Sequence, residues 1–227
     1  MDYQNRKDLV KRNFRFAYDY IFDRAGKNKN KILEIGAGFG YFLRNFDKRF
    51  KCDAVEVSKE AIAQIKRNSK AKVYEGNFLD IGLRDKYDFI AGFDVIEHQI
   101  FLSDFLIKVR KLLKENGRFI FTTPDFGSKF NKILGRRAPV IQTQYHNYYL
   151  SQDWIKKNLP KIGFELVSIR TVNSSFMDLG YILVHLSLIF PWFRRTMLFE
   201  FIRKSSLSKL IFPFLRFGGI ECVVRKI

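Results

Sequence analysis

The chain has few of the residues that build disulfide frameworks or cysteine-rich metal sites. Its 227 residues include two cysteines, Cys52 and Cys222, which stand far apart and form no CxxC pair. This spacing excludes a zinc ribbon and a small disulfide-stapled fold. Thiols in a chain whose first residues show no secretory signal are typical of the cytoplasm, which is the location we predict.

A hydrophobic run long enough to cross a bilayer is also missing. The longest apolar stretch, residues 179–193, has 15 residues and contains His185 and Pro191. A transmembrane helix needs about 20 such residues. We therefore expect no membrane-spanning helix, whereas contact with a membrane surface is compatible with the sequence.

Acidic residues are scarce. Lys and Arg number 41 against 23 Asp and Glu, which gives a net charge of +18, and residues 126–227 alone carry +11. Such a field attracts anionic lipid, nucleic acid or an acidic small molecule, although a biased genome composition would produce the same excess of lysine. The charge alone leaves the partner open.

Short apolar runs alternate with helical patterns along the chain. The strand-like runs are Lys31–Ile35, Ala54–Val57, Lys72–Tyr74, Phe89–Phe93 and Arg118–Thr122, followed later by Phe164–Arg170 and Ile220–Arg225. The helical patterns are residues 6–25, Tyr41–Asp47, Lys59–Asn68, Phe101–Lys114 (closed by Asn116-Gly117) and Gln152–Leu159, with an irregular basic loop at Asp125–Gln144. Buried strands that alternate with helices predict an α/β fold whose parallel sheet carries helices on both faces.

Glycines are concentrated where the first strand ends. The stretch EIGAGFG places Gly36, Gly38 and Gly40 directly after this strand. The spacing lacks the third glycine of GxGxxG, because Tyr41 stands there, and the GK[ST] of a P-loop is absent as well. The loop therefore favours neither a dinucleotide nor a nucleoside triphosphate.

Two acidic residues flank this loop. Glu34 precedes the first glycine by two residues, and Glu56 ends the second strand, 20 residues beyond Gly36. A carboxylate at that distance can accept hydrogen bonds from the ribose hydroxyls. A second carboxylate beside the loop suits an ammonium or sulfonium group better than a pyrophosphate, which indicates S-adenosylmethionine (SAM).

The motifs EIGAGFG, VEVS, GNFLDI, FDVIEH and LLKENGRFIFTTP, in this order over residues 30–125, resemble the motif series of class I SAM-dependent methyltransferases. The resemblance implies an enzyme that uses SAM, with a Rossmann-like seven-stranded sheet of order 3-2-1-4-5-7-6 in which strand 7 is antiparallel. The residues it assigns to the cofactor are Glu34, Gly36, Ala37, Gly38 and Gly40 at the methionine part, Glu56 with Val57 at the ribose, Asn77 and Phe78 at the adenine, and Phe93 with Asp94 at the methionine and the transferred methyl group.

The acceptor side is similar to the ubiquinone-biosynthesis O-methyltransferases and their relatives, through DVIEH, YHNYYLS and IGFELVSIR. In that family an acid-x-x-Glu-His group is associated with a divalent cation, and Asp94, Glu97 and His98 match its spacing. The alternative is that Glu97 and His98 brace the following helix without a metal. His146 is a candidate general base or a residue that braces its loop, and His98 is a second catalytic candidate. His185, in an apolar run, is assigned a structural role.

Methylation of nucleic-acid bases is not expected. Amino-methyltransferases of bases usually carry [ND]PP[YFW] after strand 4, where this chain reads DVIE. The expected acceptor is a small or lipid-linked molecule methylated at oxygen; nucleic acid is not expected as a partner, and the oligomeric state is left open. The alternatives are a noncatalytic SAM-binding or membrane-associated scaffold and, less favoured, an NAD-dependent oxidoreductase.

The chain reads as one methyltransferase domain. Its expected parts are an N-terminal helical cap (1–30), a SAM-binding core (31–125), an acceptor-side loop, helix and strand (126–172), an apolar and basic helical insert (173–217) and a last strand (218–227). In the insert, Trp192 and Phe193 stand beside Arg194 and Arg195, a composition typical of a segment at an anionic membrane surface. A lid over the acceptor or a dimer surface is the open alternative.

Overall fold

The computed structural model describes most of the chain. The described residues are 14–25, 29–46, 48–135, 138, 141, 146–172, 177–178, 183, 187, 191–209, 211–212 and 218–227. The first part of the helix predicted over 6–25, much of the insert and His185 lie outside the described residues.

A seven-stranded sheet forms the centre of the fold. Its strands are β1 (Asn30–Ile35), β2 (Phe50–Glu56), β3 (Lys72–Glu75), β4 (Tyr87–Phe93), β5 (Leu113–Pro124), β6 (Phe164–Val172) and β9 (Gly219–Lys226). They are ordered β3-β2-β1-β4-β5-β9-β6, and β9 is antiparallel to both of its neighbours. The predicted order is therefore confirmed. Two short strands, β7 (Met177–Asp178) and β8 (Ile211–Phe212), pair separately.

Helices cover both faces of this sheet. They are α1 (Arg15–Arg24), α2 (Lys59–Asn68), α3 (Leu102–Leu112), α4 (Lys129–Leu134), α5 (Gln152–Asn158) and α6 (Met197–Lys204). One core joins the sheet to α3 and α5 through residues such as Phe105 and Ile155. A second core on the opposite face holds Ile21 of α1 and Ile65 of α2. Side-chain caps start several helices, as where Ser58 accepts a hydrogen bond from the Ala61 amide at 3.3 Å.

The helix predicted at Tyr41–Asp47 is wrong, because the chain forms a single 3-10 turn at Leu43–Asn45. The Asn45 side-chain amide donates to the Tyr18 hydroxyl at 2.8 Å and to the Tyr41 carbonyl at 3.1 Å. Phe42 lies in the second core, with Phe46 partly buried against it. A helix this short is marginal on its own, so these tertiary contacts decide its form.

Other elements also differ from the sequence prediction; β2, for example, begins at Phe50 rather than at Ala54. Asp125–Gln144 was expected to be irregular, yet it contains α4, whose Ser128 cap accepts from the Asn131 amide at 3.2 Å. Asn116, expected with Gly117 to close the preceding helix, lies within β5 at φ +59°. The strand begins earlier than its apolar run because pairing with β4 starts at Leu113.

We call the edge of the sheet at which β1 to β5 end the carboxyl edge. The loops that carry the predicted site residues lie there. In the β5–β9 ladder Pro124 pairs with Gly219, and in the β6–β9 ladder Val172 pairs with Gly219. Both partners of Gly219 are therefore at this edge. The insert begins after β6 and ends at β9, at the same edge of the sheet as the loops that follow β1, β2 and β4.

Candidate active site

The glycine loop after β1 needs its glycines for two different reasons. Gly36, Gly38 and Gly40 have φ of +67°, +52° and +72°, values that L side chains rarely adopt. A Cβ on Gly36 would come 2.6 Å from Cγ2 of Val95, and one on Gly40 would come 3.1 Å from Cγ1 of Ile65. A Cβ on Gly38 would meet nothing within 4 Å. The outer glycines let protein atoms pack closely, whereas the middle one faces open space.

Glu56 fastens this loop to the end of β2. Its carboxylate accepts hydrogen bonds from the backbone N–H groups of Gly38 at 2.8 Å, Val57 at 2.8 Å and Ser58 at 2.9 Å. The side chain is 7% exposed. The acid that the sequence assigns to the ribose is thus also a structural support of the glycine loop.

Glu34 is the second acid of the loop and is buried beneath it. Its Oε2 atom has no hydrogen-bond partner among the described residues. Burial, and next the charge of Glu56, raises the pKa of Glu34 well above its ordinary value. A cation held near this carboxylate would relieve both effects.

The turn after β3 carries the residues assigned to adenine. Asn77 is exposed, and its Oδ1 accepts from the Leu79 amide at 2.9 Å. Phe78 is 4% exposed and packs edge-on against Phe105 at 5.2 Å, so its ring belongs to the core rather than offering an open face to a base. Val57, which follows the end of β2, has an apolar side chain and is 66% exposed.

Sequence reasoning missed a lysine that holds this turn. The ammonium group of Lys108 on α3 donates to the carbonyl oxygens of Phe78 at 2.5 Å, Leu79 at 2.9 Å and Ile81 at 2.6 Å. Burial lowers the pKa of Lys108. One lysine among many in a basic chain gives no sequence signal, since its partners are backbone atoms.

The end of β4 places Phe93 and Asp94 at the carboxyl edge. Asp94 has φ +53°, an uncommon value for a residue with a side chain. The Thr122 hydroxyl donates to Asp94 Oδ1 at 3.0 Å and accepts from the Asp94 amide at 3.1 Å. The Phe93 ring lies 4.7 Å from that of Phe14, which immediately precedes α1, and 4.9 Å from that of Phe42.

Beyond Asp94, a short 3-10 helix (Ile96–His98) brings an acid and two histidines together. Potential ligand atoms of Glu97, His98 and His146 all lie within 4.8 Å of one another. The sequence paired Glu97 and His98 with Asp94, but Asp94 is not a member of this group, and His146 takes that place. The two imidazole rings are 4.9 Å apart between centroids.

The loop that carries His146 is fixed to the 3-10 helix by main-chain contacts. The amides of Asn147 and Tyr148 donate to the Glu97 carbonyl at 2.8 and 3.1 Å. The Asn147 side-chain amide donates to the His98 carbonyl at 3.0 Å. These bonds hold His146 beside Glu97 and His98, although it follows His98 by 48 residues in the sequence.

Glu97 is the buried member of the group. It is 1% exposed, and neither carboxylate oxygen has a partner of hydrogen-bond geometry among the described residues. Burial, and next the charge of Asp94, raises its pKa. A carboxylate and two imidazoles fit a divalent cation of the zinc or manganese type, and the same set could hold and move a proton. Both chemistries suit activation of a hydroxyl.

Comparison with known proteins gives a family. The sequence model of a family described as "Methyltransferase domain" matches residues 4–169. Over 110 residues the chain is 30% identical to a ribosomal protein L11 methyltransferase of Dictyoglomus thermophilum, a match that covers 45% of this chain and 35% of that protein. The chain thus spans about a third of the length of this relative.

Two solved structures illustrate the shared fold. Magnesium protoporphyrin IX methyltransferase of Synechocystis PCC 6803, with bound S-adenosylhomocysteine, has a TM-score of 0.64 at 10% identity over 100% of this chain and 89% of that one. A SAM-dependent methyltransferase of Clostridium acetobutylicum has a TM-score of 0.58 at 14% identity over 100% and 92% of the two chains. At these identities the likeness establishes the fold.

The sheet order and the family match together define a class I SAM-dependent methyltransferase domain. The chain belongs to the methyltransferase-domain family. The acceptor is not given by these comparisons, and the individual cofactor contacts stay predictions.

We expect Glu34→Gln to stabilise the free protein at neutral pH and to weaken SAM binding. Because the folded-state pKa of Glu34 lies above its unfolded value, the folded protein binds more protons and loses stability as pH rises above about 4.3. The melting temperature of the variant should exceed that of the wild type by a margin that grows as the pH rises above the unfolded-state pKa of about 4.3.

A cation bound beside Glu34 would favour its ionised form, so SAM binding should release a proton. Calorimetry in two buffers of different ionisation enthalpy measures this release, which should vanish in Glu34→Gln. A pH-independent stability difference, together with unchanged proton release, would contradict the role of Glu34.

Proposed function

We propose that this enzyme transfers the methyl group of SAM to an oxygen atom of a small-molecule or lipid-linked acceptor. The observation that carries the proposal is the Glu97–His98–His146 group at the carboxyl edge, next to the β4 end that the sequence assigns to the methyl group. A hydroxyl acceptor must lose a proton during transfer, and this group supplies the means.

Methyl transfer from a sulfonium is an in-line displacement in which the protein mainly aligns the reacting atoms, a contribution of up to about 7–11 kcal/mol. On this proposal the glycine loop, Glu34 and Glu56 hold the cofactor, and Phe93 and Asp94 bound the methyl group. His146 takes the acceptor proton.

A divalent cation, where one is used, would be held by Glu97, His98 and His146 and would lower the pKa of a bound hydroxyl. The described donor set fits such an ion, because a buried carboxylate, whose oxygens meet no partner of hydrogen-bond geometry among the described residues, lies beside two imidazoles. The His146 side chain then acts as a ligand instead of a base.

The same proposal assigns a role to each part of the chain. Residues 31–125 bind SAM, residues 126–172 form the acceptor side, and the N-terminal segment and the insert cover the site. Phe14 supports the covering role of the N-terminal segment through its contact with Phe93. The cytoplasmic location stays a prediction.

Labelling with trideuteromethyl-SAM tests this function. The enzyme is incubated separately with an aqueous metabolite extract and a lipid extract of a strain lacking it, and labelled products are fragmented in a mass spectrometer. We expect the label on an ether or ester oxygen. A label on nitrogen or carbon would contradict the proposal, and SAM binding without any labelled product would favour the noncatalytic scaffold.

A further inference from the structure

The segment 191–204, here named the outward segment, presents apolar side chains away from the protein. It comprises a 3-10 helix (Pro191–Arg195) and α6. Its exposed apolar residues are Trp192 at 66%, Met197 at 90%, Leu198 at 57% and Phe201 at 65% exposure. Most surface helices turn their apolar stripe inward, so this arrangement calls for a partner.

Helical spacing separates the two faces of α6. Met197 and Phe201, four residues apart, share the outer face. Phe199 points the other way, is 2% exposed, and packs edge-on against Phe193 at 5.8 Å. The inner face is therefore satisfied by the chain itself, and the outer apolar face is additional to it.

Cations surround the exposed apolar residues. Arg194 and Arg195 are exposed, and the Lys204 side chain is 71% exposed. Glu200 is the one acidic residue in the sequence of this segment, and its carboxylate lies 3.3 Å from the Lys204 ammonium. Tryptophan beside arginine suits the headgroup region of a bilayer, where the ring stays half-buried and the guanidinium reaches phosphate.

Charge argues against a second copy of the chain as the occupant. Each molecule carries +18, of which +11 lies in residues 126–227, so two outward segments would repel each other. The affinity of a protein for an anionic lipid surface instead rises about fivefold for each Lys or Arg near that surface.

The insert also starts and ends at the carboxyl edge of the sheet. It leaves the sheet after Val172 and rejoins it at Gly219, both at the carboxyl edge where the Glu97–His98–His146 group lies. Both ends of the insert therefore lie at the edge that carries the acceptor side.

We propose that the outward segment docks the enzyme on an anionic bilayer surface, with α6 lying in the interfacial plane and Trp192, Met197, Leu198 and Phe201 inserted among the lipids. Within the described part of the chain, no helix is long and apolar enough to cross a membrane. The proposal rests on the proposed function only in making a lipid-borne acceptor accessible. Vesicle binding needs neither acceptor nor turnover, so each can fail separately.

Vesicle flotation of the full chain tests this docking. Vesicles of phosphatidylcholine with about 30% phosphatidylglycerol should carry the protein, and pure phosphatidylcholine vesicles or high salt should release it. Phe201→Ser should weaken binding about tenfold. Arg194→Gln with Arg195→Gln should weaken it about fivefold for each charge removed.

Matched controls keep these results specific. Ile227→Ser removes a side chain that is 59% exposed elsewhere, and Lys156→Gln with Lys157→Gln removes two exposed charges from α5. Both controls should bind vesicles like the wild type, and SAM titration should show every variant folded. Equal loss in the controls, binding indifferent to lipid charge, absence of binding, or a dimer that Phe201→Ser dissociates would each overturn the proposal.

Discussion

Replacing His146 with asparagine is expected to lower turnover by roughly 10²- to 10⁴-fold, the usual contribution of general acid–base catalysis, while leaving SAM affinity nearly unchanged. The imidazole lies with Glu97 and His98 in a group whose ligand atoms are within 4.8 Å of one another. His146 belongs to a loop on the acceptor side and not to the glycine loop, so its replacement should not disturb SAM binding. Turnover is measured on the acceptor found by trideuteromethyl labelling, and SAM affinity by calorimetry.

Metal titration separates the two chemistries open to this residue. If His146 is a ligand, Co²⁺ should give a ligand-field absorption band with the wild type that weakens in His146→Asn and in Glu97→Gln, and a chelator should abolish turnover. If His146 is a base, a chelator should leave turnover unchanged, whereas His146→Asn should lose turnover without any chelator. Wild-type turnover in His146→Asn would contradict both roles.

The sheet could be predicted because its strands are short apolar runs that read clearly in the sequence. β1 and β4 are buried over nearly their whole length, so apolar residues follow one another in them with few interruptions. The first half of β2, Phe50–Asp53, contains Lys51 and Asp53 and was missed for that reason. The glycine loop was recognisable because positive φ at Gly36, Gly38 and Gly40 admits almost no other residue.

The acceptor side could be predicted only in part, because its contacts connect residues distant in sequence. Local spacing suggested that Asp94 joins Glu97 and His98. The structure instead brings in His146, through main-chain bonds from Asn147 and Tyr148 to the Glu97 carbonyl. Every residue has a backbone amide and carbonyl, so contacts to the backbone cannot be predicted from residue types. The three contacts of Lys108 to backbone carbonyls were missed for the same reason.

Replacing Glu56 with alanine is expected to weaken SAM binding by roughly ten- to a hundredfold. Charge-assisted hydrogen bonds are worth about 1.5–3 kcal/mol, and the ribose would lose at least one of them. The substitution also leaves the amides of Gly38, Val57 and Ser58 without the acceptor they share. Calorimetric titration with SAM measures the loss.

Two companion variants divide this effect between ribose binding and loop support. Glu56→Gln keeps an oxygen acceptor but turns an NH₂ group toward backbone donors, so it should lose affinity as well. Glu75→Ala removes an exposed carboxylate from the residue that pairs with Glu56 on β3, and it should bind SAM like the wild type. An unchanged affinity in Glu56→Ala would refute the ribose assignment. A loss that appears equally with adenosine-free methionine analogues would assign Glu56 to the loop alone, because a ribose contact cannot affect ligands that have no ribose.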